Sequence, residues 1–154
     1  MKKPAYYEAV VQLLDEIQRS QAEAIDRAAD LIFSSLVVDG VLHIFGSGHS
    51  HSVAEEAFHR AGGLVPVNTM TEPFLSPLTS PKKSGRLERL SGLATILLDY
   101  HEPRPNEVLL IVSNAGINSV PVELALEAKK RELTVIAITS LRHAQAVASR
   151  HVSG

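Results

Sequence analysis

The sequence predicts an α/β fold, a three-layer sandwich with helices on both faces of a parallel sheet. Three observations carry this expectation. Short apolar runs (Val41–Phe45, Val108–Val112, Thr134–Thr139) alternate with amphipathic helical stretches, the pattern of strands covered on both faces. The first two of these runs end in serine- and glycine-rich turns that lead into helices. At 154 residues and 45% hydrophobic, the chain is long enough for one domain with a full core and too short for two.

The elements follow in order. Residues 1–37 form an N-terminal helical segment. Val10, Leu13, Leu14, Ile17, Ala24, Ile25, Ala28, Leu31, Ile32 and Leu36 recur at helical spacing on one face, and Glu8, Gln12, Glu16, Arg19, Glu23 and Arg27 lie opposite. A helix of about thirty residues exceeds the usual domain helix, so one long helix or a break near Ser20-Gln21 is expected, packed on its own sheet or on a second subunit. After Asp39-Gly40 the first strand ends at Gly46-Ser47-Gly48-His49-Ser50. Ser52 and Glu55 then have the spacing of a capping box, opening a helix that Gly62-Gly63 would close. Leu64-Val65-Pro66-Val67 reads as a second strand, and its proline, lacking an N–H, places it at a sheet edge.

Residues 68–84 form a long loop with Pro73, Pro77 and Pro81, long enough to be mobile or functional. Leu87, Leu90, Leu93, Ala94 and Leu97 predict the next helix, ended before Pro103 and Pro105. A third strand, Val108–Val112, leads into the second turn, Ser113-Asn114-Ala115-Gly116-Ile117-Asn118-Ser119. A helix over Val122–Arg131, a fourth strand and a helical start at 142–150 complete the pattern. With strand 2 at an edge, strands 1 and 3 become neighbours and the order is 2-1-3-4. The winding reverses between them, and a ligand crevice belongs there, outside the strand carboxyl ends.

Composition narrows the function. Fifteen Lys and Arg against seventeen Asp and Glu, scattered and summing to −2, give no footprint for nucleic acid. Cysteine is absent, which removes disulfides, thiolate metal sites and a cysteine nucleophile, and fits a reducing compartment. No run approaches the roughly 18 apolar residues of a membrane span, and Met1-Lys2-Lys3-Pro4 opens no signal core. A cytoplasmic protein with no membrane partner is expected.

The two turns supply many hydrogen-bond donors and no negative charge. Glycine lets backbone N–H groups close on an anion, and Ser47, Gly48, Ser50, Ser113, Asn114, Gly116, Asn118 and Ser119 form a donor set suited to a phosphate. The same residues are good helix caps; it is their occurrence in two successive βα units that favours an anion. A dinucleotide fits poorly: Gly46-x-Gly48-x-x-His51 lacks the third glycine, and Val67-Asn68 offers no acid for a ribose. No cofactor is expected. His51, Glu55 and His59 recur every four residues and could hold a metal, but a solvated helix face explains them better, and no metal site is assigned. In the long loop, Glu72 could reach a sugar and Lys82, Lys83 and Arg86 a phosphate, against the simpler reading of solvated surface.

Ile44-Phe45-Gly46-Ser47-Gly48-His49-Ser50, Leu110-Ile111-Val112-Ser113-Asn114-Ala115-Gly116 and Val135-Ile136-Ala137-Ile138-Thr139-Ser140 together resemble the SIS (sugar isomerase) domain family over about residues 5–150. Within it the chain is similar to uncharacterised SIS-domain proteins and phosphoheptose isomerase-like proteins. The resemblance implies a phosphosugar ligand, with Ser50 and Ser113 on the phosphate. It also marks departures. Ala115 stands where the family has a second serine, and Asn118, next to Ser119, replaces a Ser or Thr. No carboxylate occupies His59-Arg60, where heptose isomerases of the family carry a glutamate. The family continues into another strand and a C-terminal helix bearing a histidine acid/base. Residues 1–154 therefore read as a single SIS-like domain shortened at its C-terminus, its fifth strand missing, with the exposed sheet covered in a homo-oligomer.

Aldose–ketose isomerisation needs a base and an acid near the sugar carbonyl. His49, inside the first turn, and Glu55, on the following helix, are the candidates. The expectation is thus a domain that binds a small-molecule sugar phosphate, either as a sugar-phosphate isomerase or as a non-catalytic sensing module.

Overall fold

A computed structural model describes residues 5–153. The elements are α1 (Ala5–Leu36), β1 (Leu42–Gly46), α2 (His51–Ala57), β2 (Val67–Thr69), α3 (Pro81–Leu87), α4 (Leu93–His101), β3 (Val108–Val112), α5 (Ser119–Lys130), β4 (Thr134–Ile138) and α6 (Leu141–Ala146), with single 3-10 turns at Gly48–Ser50 and Pro73–Leu75. The four strands are parallel in the order β2-β1-β3-β4, as expected.

Alternation along β1 explains the layers. Leu42 and Ile44 face one side, where they pack with Ala54 of α2, Val67, Val108 and Ile32 of α1. Phe45 points to the other, into the larger core of Met70, Leu75, Leu97, Leu98, Leu109, Val120 and Leu124. Each of these large side chains, buried from water, contributes roughly 1.5–3 kcal/mol. The β1–α2–β2 unit therefore winds over one face, and α4 and α5 cover the other. That change of face puts the topological switch point between β1 and β3.

Several local expectations are corrected. Pro66 lies just before β2 rather than inside a strand over 64–67, and its carbonyl accepts from the N–H of Leu42 (2.9 Å). Its missing N–H is thus kept out of the ladder, and β2 is an edge strand. The α2 helix stops at Ala57, with Phe58 already extended, before the glycine pair; Gly62 (φ +74°) serves the following turn, closed by Gly63 N–H on the Arg60 carbonyl. The capping box does not form: Ser50 is the N-cap, and the Glu55 carboxylate instead meets His51 Nδ1 at 3.2 Å.

The helix expected around Leu87–Leu97 is two helices. Ser80 caps α3 by accepting from Lys83 N–H, so the 68–84 loop already ends inside a helix. Glu88–Gly92 breaks the path, and Gly92 at φ +87° starts α4 in a conformation that favours glycine.

The N-terminal helix runs unbroken through Ser20-Gln21. Its apolar stripe finds the sheet only near its C-terminal end, through Ile32, whereas Leu14 and Ile17 remain 60% and 48% exposed.

Candidate functional site

The register pairs Gly46 of β1 with Val112 of β3, so Ser47 and Ser113 leave the sheet side by side. The first turn is tight. A Cβ on Gly46 would lie 2.2 Å from the Ser50 carbonyl oxygen, and Gly48 sits at φ +59°. Ser50 is half-buried and His49 exposed, and neither side chain has a hydrogen-bond partner among the described residues. Among the described residues, the N–H groups of Gly48 and His49 meet no acceptor.

The second turn is anchored against the end of β4. Ser113 N–H donates to the Ile138 carbonyl (3.0 Å), and the N–H of Ser140 donates to the Asn114 carbonyl (3.1 Å). Gly116 (φ +63°) donates its N–H to Ser113 Oγ at 3.1 Å, which leaves the hydroxyl proton of Ser113 free. A Cβ on Gly116 would meet Thr139 Oγ1 at 3.0 Å. The N–H groups of Asn114, Ala115, Ile117 and Asn118 also have no acceptor among the described residues. The turn is therefore held from behind by the Ser113 N–H and the Asn114 carbonyl while four of its N–H groups stay uncommitted, an arrangement that suits an anion.

Asn118 and Ser119 sit deeper than a surface cap. Asn118 is the N-cap of α5, yet its Oδ1 accepts from Arg150 Nη1 (2.7 Å) instead of capping the helix. Ser119 is 2% exposed, and its hydroxyl donates to the Arg150 carbonyl at 3.3 Å. Arg150, which the sequence gave no reason to place here, is fixed over the turn by its N–H on the Ile117 carbonyl.

Glu88 was also missed, since it reads as one more charge on a helix. The Ser47 hydroxyl donates to its Oε2 at 2.9 Å, and its backbone carbonyl accepts from Val120 N–H at 3.1 Å. One residue thus ties the first turn to the start of α5.

The metal-like stripe is dispersed. His59 follows the end of α2 at φ +42° and no longer stacks one turn above Glu55. His51 is buried, with Nε2 lacking a partner. An apolar hollow lined by Leu42, Val53, Ala57, Leu64 and Val67 lies on the α2 face beside the amino ends of β1 and β2, away from the two turns.

A second polar cluster occupies the amino end of the sheet. Glu107, buried, accepts from His43 Nε2 (2.9 Å), Val41 N–H, Arg104 N–H and Arg104 Nε. Burial pushes its carboxyl up, but the hydrogen bonds from His43 and Arg104 outweigh this and hold it below the usual range. Asn68 Nδ2 reaches both His43 Nδ1 (2.9 Å) and His101 Nδ1 (3.2 Å). Burial lowers His101 further than the nearby Glu72 carboxylate raises it.

A parallel α/β domain with donor-rich turns at its switch point defines the class. The SIS domain sequence profile matches residues 5–140, and the chain belongs to that family. It is 43% identical over 143 residues to a UPF0309 protein of Halalkalibacterium halodurans, covering 93% of this chain and 59% of that protein. A UPF0309 protein of Caldanaerobacter subterraneus is 43% identical over 150 residues, covering 97% of this chain and 61% of the relative. The chain thus spans about three-fifths of the length of these relatives. The phosphoheptose isomerase of Neisseria gonorrhoeae shares the fold with TM-score 0.72 at 21% identity, over 94% of this chain and 78% of the other. That of Francisella tularensis gives 0.71 at 20% identity, over 94% and 77%. No helix among the described residues is long and apolar enough to cross a membrane.

Proposed function

We propose that this chain binds a phosphorylated sugar in the crevice between residues 46–50 and 113–119. The observation that carries the reading is the set of uncommitted N–H groups on both turns, beside the free hydroxyls of Ser50 and Ser113, at adjoining strand ends. Membership of the SIS family supports it. In this reading Gly48, Ser50, Ser113, Asn114 and Gly116 form the phosphate cradle. Asn118 and Ser119 shape its floor, and Ser47 borders the sugar. The reaction class is aldose–ketose isomerisation in the cytoplasm, with His49 free to exchange protons with the sugar oxygens. Glu55 is a weaker candidate because its carboxylate already meets His51. A sensing role without catalysis is the second reading, favoured by the absence of a carboxylate at His59-Arg60.

Thermal shift with hexose and heptose phosphates, beside inorganic phosphate, tests the binding. Stabilisation by at least one sugar phosphate is expected, and silence from all of them together with inorganic phosphate would remove both readings.

A homo-oligomer joined through α1 belongs to the same proposal. Leu13, Leu14, Ile17 and Ile25 expose an apolar stripe that water solvates poorly. Replacing Leu14 and Ile17 by Glu should reduce the size measured by light scattering, whereas a wild-type monomer would refute the assembly.

A further inference from the structure

We propose that Glu88 is the base that moves the proton between adjacent carbons of the bound sugar, with Ser47 holding its carboxylate in place. The proposal rests on the sugar-phosphate reading above and adds to it a catalytic group and an orientation for the ligand.

The argument begins with which carboxylates near the first turn are free to act. Glu55 meets His51, and Glu56 is paired with Arg60. Glu88 has no cation partner among the described residues, although Arg86 and Arg89 flank it in sequence. Its Oε2 accepts from Ser47 Oγ (2.9 Å), and Oε1 carries no hydrogen bond among the described residues. The side chain is half-buried on a rigid seat, its N–H on the Ser84 carbonyl (3.0 Å) and its own carbonyl under the N–H of Val120 (3.1 Å). A carboxylate fastened on both sides, with one oxygen directed by a hydroxyl and the other open, is preorganised for proton transfer.

Charge then fixes how a ligand lies. A phosphate dianion and a carboxylate repel, so the phosphate belongs on the N–H groups of the second turn and Ser50. The carbon chain extends from there toward Ser47 and Glu88. Ser47 has its single proton committed to Glu88, and so positions the base instead of binding phosphate.

The step balances without any further reactant. Glu88 Oε1 takes a proton from the carbon beside the carbonyl. The released C–H pair forms the C=C bond of an enediol, while the carbonyl oxygen gains a proton from a donor in the crevice, His49 or water. Glu88 then returns its proton to the neighbouring carbon, and the other oxygen gives a proton back to the donor. The carboxylate is regenerated, and nothing is oxidised or reduced overall.

The test uses the 154-residue chain with fructose 6-phosphate and sedoheptulose 7-phosphate in deuterated water, following loss of the C1 proton signals. Glu88→Gln should slow exchange about 100-fold or more, within the range for a positioned general base, while thermal stabilisation by inorganic phosphate is kept. Glu88→Asp, which keeps the charge but shortens its reach, should slow exchange about tenfold and serves if the glutamine variant fails to fold. Ser47→Ala should lower kcat with KM unchanged, and Ser47→Thr should restore it. Exchange by Glu88→Gln within threefold of wild type overturns the proposal. So does a wild-type protein stabilised by a ketose phosphate whose protons it never exchanges. Absence of stabilisation by any sugar phosphate is a different result, and it falls on the proposed function itself.

Discussion

The two ends of the parallel sheet use polar groups in opposite ways. At the amino end, Glu107, His43, Asn68 and Arg104 bond to one another and a single carboxylate accepts four hydrogen bonds, while His101 joins through Nδ1 and its Nε2, 3.7 Å from Glu72, has no hydrogen bond among the described residues. At the carboxyl end, six backbone N–H groups of the two turns meet no acceptor among the described residues, and two serine hydroxyls keep free protons. Buried polar groups ordinarily find partners. The first end largely obeys that rule internally; the second leaves its donors unpaired among the described residues, as the proposed sugar-phosphate site requires. Substitutions should separate the two accordingly, with stability responding at one end and ligand affinity at the other.

The largest expected effect is at the amino end. Glu107→Ala strands Val41 N–H, Arg104 and the buried His43 together, and removing one partner of such a network costs about 3–5 kcal/mol. Urea unfolding should show that loss. The remaining folded protein should bind sugar phosphate as the wild type does. A loss under about 1 kcal/mol would mean that water replaces the carboxylate and the network is less closed than its distances indicate.

At the opposite end the expectation reverses. Ser113→Ala removes a hydroxyl donor and the latch on Gly116 N–H, and should weaken sugar-phosphate binding by about 1–3 kcal/mol, the range for a hydrogen bond to a charged group. The unfolding midpoint should change little, since the half-buried Ser113 hydroxyl holds only its own turn. Calorimetric titration reads the first quantity and thermal unfolding the second; a stability loss with intact affinity would exchange the roles of the two ends.

This contrast was half legible in the sequence. Apolar runs and the proline at position 66 sufficed for strand order, because burial and the missing N–H act through residue type alone. Both turns were visible too, since glycine and serine there serve backbone geometry. What the sequence hid were partnerships set by long-range packing. His43 looks like part of an apolar strand run, and nothing local links it to Glu107, 64 residues away. Glu88 meets Ser47 from the C-cap of α3, a helix end that the sequence pattern ran through. The capping box failed for a related reason. With His51 buried at the first position of α2, Glu55 found an imidazole one turn away and did not reach back to cap. The SIS motifs pointed to the two turns, but not to which of their donors are already engaged.

The smallest effect sharpens the comparison by pH. His101 titrates below the ordinary imidazole value of 6.5 when folded, because burial opposes its charge more than Glu72 favours it. The unfolded chain therefore takes up this proton first. Stability from a neutral His101 is complete above about pH 6.5 and declines as pH falls below that toward the folded value. Glu107, held below its ordinary 4.5, adds stability present above pH 4.5 that is lost as pH falls through its lower folded value. The melting temperature should thus drop in two stages on acidification. His101→Gln should flatten the upper stage and leave the lower, since Asn68 still bridges to His43 and Glu107 keeps its donors. An unchanged upper stage in that variant would transfer the titration to another histidine.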